Sequence, residues 1–234
     1  MPKRTFVLVP GAWFGGWVWR DLAERLRMQG CIVTTPTLTG LGERCHTNSN
    51  SADLTLHIED VVSHIQMEGL DNVDLLGWSY GGMVISGVHS RIPEKIRSLI
   101  FFDAFMPDNG MSLVDMIDID KRELYDTARG ADQKIPPISM KAFGVNDPTV
   151  LEFVEPRTCL QPWRTFFEPV SVSPDIGLVS QSYILCTKWG IVSPMTRFLP
   201  LALTRKANVI KVKGSHLAML TEPDESLAAV LSTP

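Results

Sequence analysis

Gly77-Trp78-Ser79-Tyr80-Gly81 is a G-x-S-x-G motif. Such a serine becomes a nucleophile when a strand leads into it and a helix leads out. The glycines let the chain turn sharply, and the turn holds the hydroxyl above the sheet edge. Val73-Asp74-Leu75-Leu76 reads as the strand, and Gly82-Met83-Val84-Ile85 reads as the start of the helix. The motif alone recurs by chance in unrelated proteins, and this context gives it meaning. The chemistry would be acyl transfer, with Ser79 attacking a carbonyl carbon.

A serine nucleophile needs a base. For this motif the base is a histidine late in the chain, in the loop after the last strand. Val209–Val212 followed by Lys213-Gly214-Ser215-His216 has that placement. The base in turn needs a carboxylate to orient its ring and stabilise the imidazolium. The usual position follows the penultimate strand, but Tyr183-Ile184-Leu185-Cys186-Thr187-Lys188-Trp189-Gly190 holds no carboxylate, and Trp189 stands in the expected place. One strand earlier, Phe101-Phe102-Asp103-Ala104-Phe105 sets Asp103 at a strand's carboxyl end between apolar neighbours. A carboxylate there is costly without a partner. Asp103 is therefore preferred as the acid over a loop-bracing role, with Asp108 as the fallback. The oxyanion needs two backbone N–H groups. Tyr80 supplies one, and Ala12, in the loop Pro10-Gly11-Ala12-Trp13-Phe14-Gly15-Gly16-Trp17, supplies the other.

Competing readings of these and other residues are weaker. The glycine-rich loop lacks G-x-G-x-x-G spacing, and no acidic residue ends the second strand, which disfavours a dinucleotide. His46 sits in a polar loop, and His89 lies late in the helix after Ser79. His57, Asp60 and His64 share a helix at spacings that could face a metal, but a hydrogen-bonded helix face is far commoner and no third ligand type is evident. The reading needs neither metal nor cofactor.

Positioning such a site takes alternating strands and helices, and so an α/β fold with a mainly parallel sheet covered on both faces. The expected strands are Thr5–Val9, Ile32–Thr35, Val73–Leu76, Ser98–Phe102, Tyr183–Cys186 and Val209–Val212. The expected helices are Trp17–Gln29, Leu54–Glu68 with Asp53 as N-cap, Gly82–Ser90 and Asp224–Leu231. Residues 107–180 break the rhythm. A structureless loop of that length is improbable, so this segment is expected to be a mostly helical cap inserted before the penultimate strand of one domain spanning 1–234. Trp13, Phe14, Tyr80, Trp163 and Phe166 are expected to line an apolar pocket, although aromatics in a cap more often pack its own core.

Composition narrows the partners. The chain has 234 residues, 44% hydrophobic, with a net charge of −4. Its Lys and Arg residues are scattered, which argues against nucleic acid or an anionic membrane. Phe6–Val9 is too short for a signal-sequence core, and no apolar run is long enough to span a bilayer. Cys31, Cys45, Cys159 and Cys186 are widely spaced with no CxxC pair. A reduced, cytoplasmic protein without disulfide framework or zinc site is expected. A homodimer is compatible with the sequence but not required by it.

Three segments together resemble the plant methylesterase and hydroxynitrile lyase branch of the α/β-hydrolases: Leu8-Val9-Pro10-Gly11-Ala12-Trp13-Phe14-Gly15-Gly16-Trp17, the Ser79 turn, and Gly214-Ser215-His216-Leu217-Ala218-Met219-Leu220. Thr37-Leu38-Thr39-Gly40-Leu41-Gly42-Glu43-Arg44 and Phe102-Asp103-Ala104-Phe105-Met106-Pro107 are similar to small bacterial esterases of that branch, the carbendazim (methyl carbamate) hydrolases among them. The resemblance spans nearly the whole chain and is thinnest over 107–180. It implies an α/β-hydrolase fold and a small ester or carbamate substrate. Members with the acid one strand early place it where Asp103 stands. Two departures count against cyanohydrin cleavage. Hydroxynitrile lyases pair a loop threonine with a lysine after the catalytic histidine, and here those positions hold Pro10 and Leu217. A cofactor-free lyase or dioxygenase, with His216 as base and Ser79 only positioning substrate, is the runner-up, and a non-catalytic ligand receptor is the third reading.

Overall fold

Short apolar runs separated by amphipathic stretches bury their apolar sides only in a layered arrangement, and the chain forms one. A computed structural model describes residues 3–47, 50–189 and 193–234. The strands are β1 (Thr5–Val9), β2 (Ile32–Thr34), β3 (Val73–Trp78), β4 (Ile96–Phe102), β5 (Ser180–Cys186) and β6 (Asn208–Val212). They make one six-stranded sheet in the order β2-β1-β3-β4-β5-β6. Every neighbouring pair runs parallel. Each strand lies where the sequence places it; β1 has the expected bounds, and each of the others differs at one end by one to three residues.

The helices follow in chain order. They are α1 (Arg20–Met28), α2 (Leu54–Met67), α3 (Gly81–Arg91), α4 (Ile119–Gly130), α5 (Pro148–Val154), α6 (Arg164–Phe167), α7 (Leu199–Thr204), α8 (Ala218–Thr221) and α9 (Pro223–Leu231). The expected helix from Trp17 differs at its start, because Gly16–Trp19 forms a tight 3₁₀ turn before α1 begins. On α2, Asp53 caps the first turn by accepting from the Leu56 N–H at 2.8 Å. Its apolar side, including Leu54, Ile58, Val61 and Ile65, is buried. α3 is buried almost throughout, so it reads as continuously apolar rather than striped. No described helix is long and apolar enough to cross a membrane.

Residues 107–180 leave the sheet after β4 and return at β5. They hold only the short helices α4, α5 and α6, joined by 3₁₀ turns and irregular chain. A two-residue antiparallel bridge, Ile135 with Gln161, ties this segment to itself.

The topology dictates where a site can form. The chain moves from β1 outward to β2 and then back across β1 to β3. The loops leaving β1 and β3 therefore diverge, opening a crevice at the carboxyl ends of those strands. The Ala12 loop and Ser79 both lie there.

The opposite end of the sheet is locked by charge. Asp74 on β3 is fully buried and accepts from Arg4 Nε at 2.8 Å and Ser98 Oγ at 2.5 Å, with Arg97 as a further ion partner. Arg4 also reaches the carbonyl and hydroxyl of Thr233 near the chain's end. Removing one member of a buried pair strands the other. Asp74→Ala should lower unfolding free energy in urea by about 3 kcal/mol, with the denaturant slope unchanged and turnover in native buffer retained.

Candidate active site

Ser79 sits on the turn between β3 and α3 at φ 55°, in the left-handed region that L side chains seldom adopt. Its surroundings hold it there. The Ser79 carbonyl accepts from Gly82 N at 3.1 Å and Phe105 N at 3.0 Å. The flanking glycines are required by close approach. A Cβ on Gly77 would lie 2.5 Å from the Gly81 carbonyl oxygen, and one on Gly81 would lie 2.8 Å from that of Val9.

Asp103 leaves the end of β4, also at a positive φ, 44°. Its carboxylate is fully buried and receives three donors. Oδ1 accepts from Cys186 N at 3.0 Å. Oδ2 accepts from Trp189 Nε1 at 2.7 Å and pairs with His216 Nδ1 at 2.7 Å. An ionised carboxylate only accepts, so Nδ1 of His216 carries the proton and donates. The neutral ring then has its lone pair on Nε2, free to take a proton.

His216 is held on every side. Its N–H donates to the Phe143 carbonyl at 3.0 Å, and its own carbonyl accepts from Trp78 Nε1 at 2.8 Å. Its ring lies against Trp189, Trp78 and Phe143, with centroids at 4.2, 4.9 and 4.9 Å. Burial pushes its pKa below the ordinary histidine value, and Asp103 opposes that shift without reversing it. Ser79 and His216 line the same cavity.

Ala12 and Tyr80 line that cavity too. Among the described residues, neither backbone N–H meets a protein acceptor. Next to Ala12, Trp13 is pinned at φ 68°. Its N–H donates to Gln161 Oε1 at 2.9 Å, its indole N–H to the Ile135 carbonyl at 3.1 Å, and its carbonyl accepts from Cys159 N at 3.0 Å. All three partners belong to the 107–180 segment, which thus braces the loop carrying Ala12. Gln161 is itself buried and donates to Thr165 Oγ1 at 2.7 Å.

The cavity wall departs from the expected one. Trp13 and Phe166 are in it, but Phe14 and Trp163 are not. Phe14 points into the core, edge-on to Trp78 at 4.9 Å. Trp163 faces outward, where its indole N–H meets Asp132 at 2.8 Å and the Arg164 guanidinium lies over its ring. Their places are taken by Phe105, Met116, Tyr125, Ile138, Met195 and Phe198. The Tyr125 hydroxyl is kept protonated by burial, its pKa pushed up to about 12. Asp108, the fallback acid, is 63% exposed and pairs with Arg205 instead.

Three of the remaining histidines are engaged elsewhere, and the fourth, His89, is buried on α3, where its Nδ1 meets no hydrogen-bond partner among the described residues. His57 Nε2 faces the Thr39 carbonyl at 2.9 Å and must donate to it. Nδ1 therefore accepts the Tyr80 hydroxyl at 3.0 Å. This bond ties α2 to the residue after Ser79. Asp60 accepts from Thr39 and Arg44. His64 meets Thr34 Oγ1, and His46 meets the Glu43 carbonyl. Among the described residues, no cluster of three His, Cys, Asp or Glu could hold a metal.

Comparison with known proteins agrees with the fold. A profile described as "Alpha/beta hydrolase family" matches residues 6–230. The chain is 38% identical over 233 residues to a carbendazim hydrolyzing esterase of Nocardioides sp. (strain SG-4G), covering 94% of this chain and 96% of that protein. It is 26% identical over 257 residues to salicylic acid-binding protein 2 of Nicotiana tabacum, covering 97% and 96%. An extracellular α/β-hydrolase from a Paenibacillus species superposes with a TM-score of 0.86 at 24% identity, over 99% of both chains.

The burial of His57 makes the fold acid-sensitive. Burial lowers the His57 pKa, so the unfolded chain binds a proton near pH 6.5 that the folded chain refuses. Stability should therefore fall as pH drops below about 6.5. In urea titrations between pH 7 and 5, His57→Gln should show a shallower fall than the parent.

Proposed function

The chain belongs to the α/β-hydrolase family, and from that premise we propose that it hydrolyses small esters or carbamates through an acyl-enzyme formed on Ser79. The observation that carries this reading is the buried Asp103–His216 hydrogen bond, which fixes the proton on Nδ1 of a ring that lines the same cavity as Ser79. It supplies a base of fixed tautomer beside a hydroxyl held in a strained turn.

In the proposed sequence, His216 Nε2 takes the Ser79 proton as Oγ attacks the carbonyl carbon. Asp103 stabilises the imidazolium without itself accepting a proton. The unengaged N–H groups of Ala12 and Tyr80 bind the oxyanion. His216 then protonates the leaving alcohol or amine. Water, deprotonated by the same Nε2, releases the acyl group and restores Ser79.

The wall is largely apolar, with Asp118, Lys121 and Arg197 also among its residues, and fits a substrate with a hydrophobic or aromatic body. The carbendazim hydrolyzing esterase of Nocardioides supports a carbamate within this range.

Ser79→Ala should abolish turnover of a p-nitrophenyl ester, and retained activity would remove Ser79 from the mechanism. Asp103→Asn should lower kcat by about 10³–10⁴-fold, whereas an unchanged rate would reassign the acid. Because His216 must be unprotonated and burial lowers its pKa, kcat/KM should rise with pH through a midpoint below about 6.5. A pH–rate profile measures this directly.

A further inference from the structure

The position usually occupied by the acid is filled by Trp189, and its indole is not a passive replacement. Its N–H donates to Oδ2 of Asp103 at 2.7 Å, the same oxygen that binds His216 Nδ1 at 2.7 Å. Its ring also lies against the His216 imidazole at a centroid distance of 4.2 Å and meets Phe143 edge-on at 5.5 Å. One side chain therefore touches both partners of the pair.

We infer that Trp189 is a positioning residue that holds the Asp103 carboxylate for His216 and tempers the basicity of His216 through their shared oxygen. This rests on the proposed role of His216 as base.

The sign follows from electrostatics. An N–H directed at Oδ2 draws charge from the oxygen that stabilises the imidazolium. With the donor gone, Oδ2 interacts more strongly with the His216 Nδ1–H, and the protonated ring is favoured. His216 would then stay protonated to higher pH. The carboxylate, left with Cys186 N as its remaining fixed donor, would also hold the ring less firmly.

Other ionisable groups do not supply this effect. From β5, Tyr183 and Cys186 face Asp103, and burial pushes the pKa of each well up, so both stay neutral. Lys188 and Glu222 pair with each other at 3.8 Å on the outer side. Asp118, Lys121 and Arg197 line the same cavity, where Arg197 pairs with Asp118, and the rings that His216 meets besides Trp189 are those of Trp78 and Phe143. Asp103 is the charged group in direct contact, and Trp189 is its side-chain donor besides His216.

The test compares the parent with Trp189→Phe and Trp189→Leu, two side chains of different shape that both lack the donor. His216 is titrated by NMR in ¹⁵N-histidine-labelled protein, and pH–rate profiles are recorded on a p-nitrophenyl ester. In both variants the His216 midpoint and the acid limb of kcat/KM should move to higher pH. Plateau kcat should fall by about 10–100-fold, the effect of losing one hydrogen bond to a charged group, with KM little changed. Unmoved midpoints alongside a lowered kcat would show that the ring only fills space and would overturn the inference. The NMR titration needs no turnover, so it reports on Trp189 even where Ser79→Ala keeps activity and the acyl-enzyme reading fails.

Discussion

The structure around the site depends on one buried charge. A carboxylate removed from water in a protein interior costs several kcal/mol unless it is well paired. Asp103 is fully buried, and three donors converge on it, from the Cys186 backbone, the Trp189 indole and the His216 ring. Hydrogen bonds to charged groups contribute about 1.5–3 kcal/mol each, so three together are of the size needed to offset the burial. No single one is. The donors come from the end of β5, the loop after it and the loop after β6, and Asp103 therefore fixes the relative positions of those segments.

The same economy explains the two strained residues. Ser79 and Asp103 both adopt positive φ at the carboxyl ends of neighbouring strands. Phe105 N donates to the Ser79 carbonyl, and Asp103 N donates to the Ile184 carbonyl at 2.6 Å. Each sharp turn is thus secured by the strand or loop beside it. Strain of this kind persists only where surrounding structure over-determines it. The parallel sheet provides that support, because β3, β4 and β5 are adjacent, and past a register shift at Val73/Asp74 the β3–β4 pairing runs regularly to Trp78 and Phe102.

The site was unevenly legible in the sequence. Ser79 carries a local signature, since its glycines are required by approaches of 2.5 and 2.8 Å within the turn and to the neighbouring strand. His216 was legible from its place after the last strand. Asp103 could be reached by elimination, because the later position holds a tryptophan. That this tryptophan donates to Asp103 was not legible, since 86 residues separate the two and only the sheet brings them together. Phe14 and Trp163 show the opposite limit. An aromatic residue near a site announces burial or contact but not direction. Phe14 turns into the core against Trp78, while Trp163 turns out to Asp132. Gln161 had no signal at all, yet its side chain holds the Trp13 N–H beside Ala12. Residues 107–180 were recognisable as an excursion, but α5 and α6, at seven and four residues, are too short to show a period of their own.

The central claim is that acyl transfer passes through Ser79. The most direct measurement is mass spectrometry of intact protein and its peptides after rapid mixing with a slowly deacylating activated ester. The account predicts one acyl adduct, located on Ser79, that forms faster than turnover and decays at the turnover rate. Turnover at that rate with Ser79 unmodified, or with the acyl group on another residue, would contradict it.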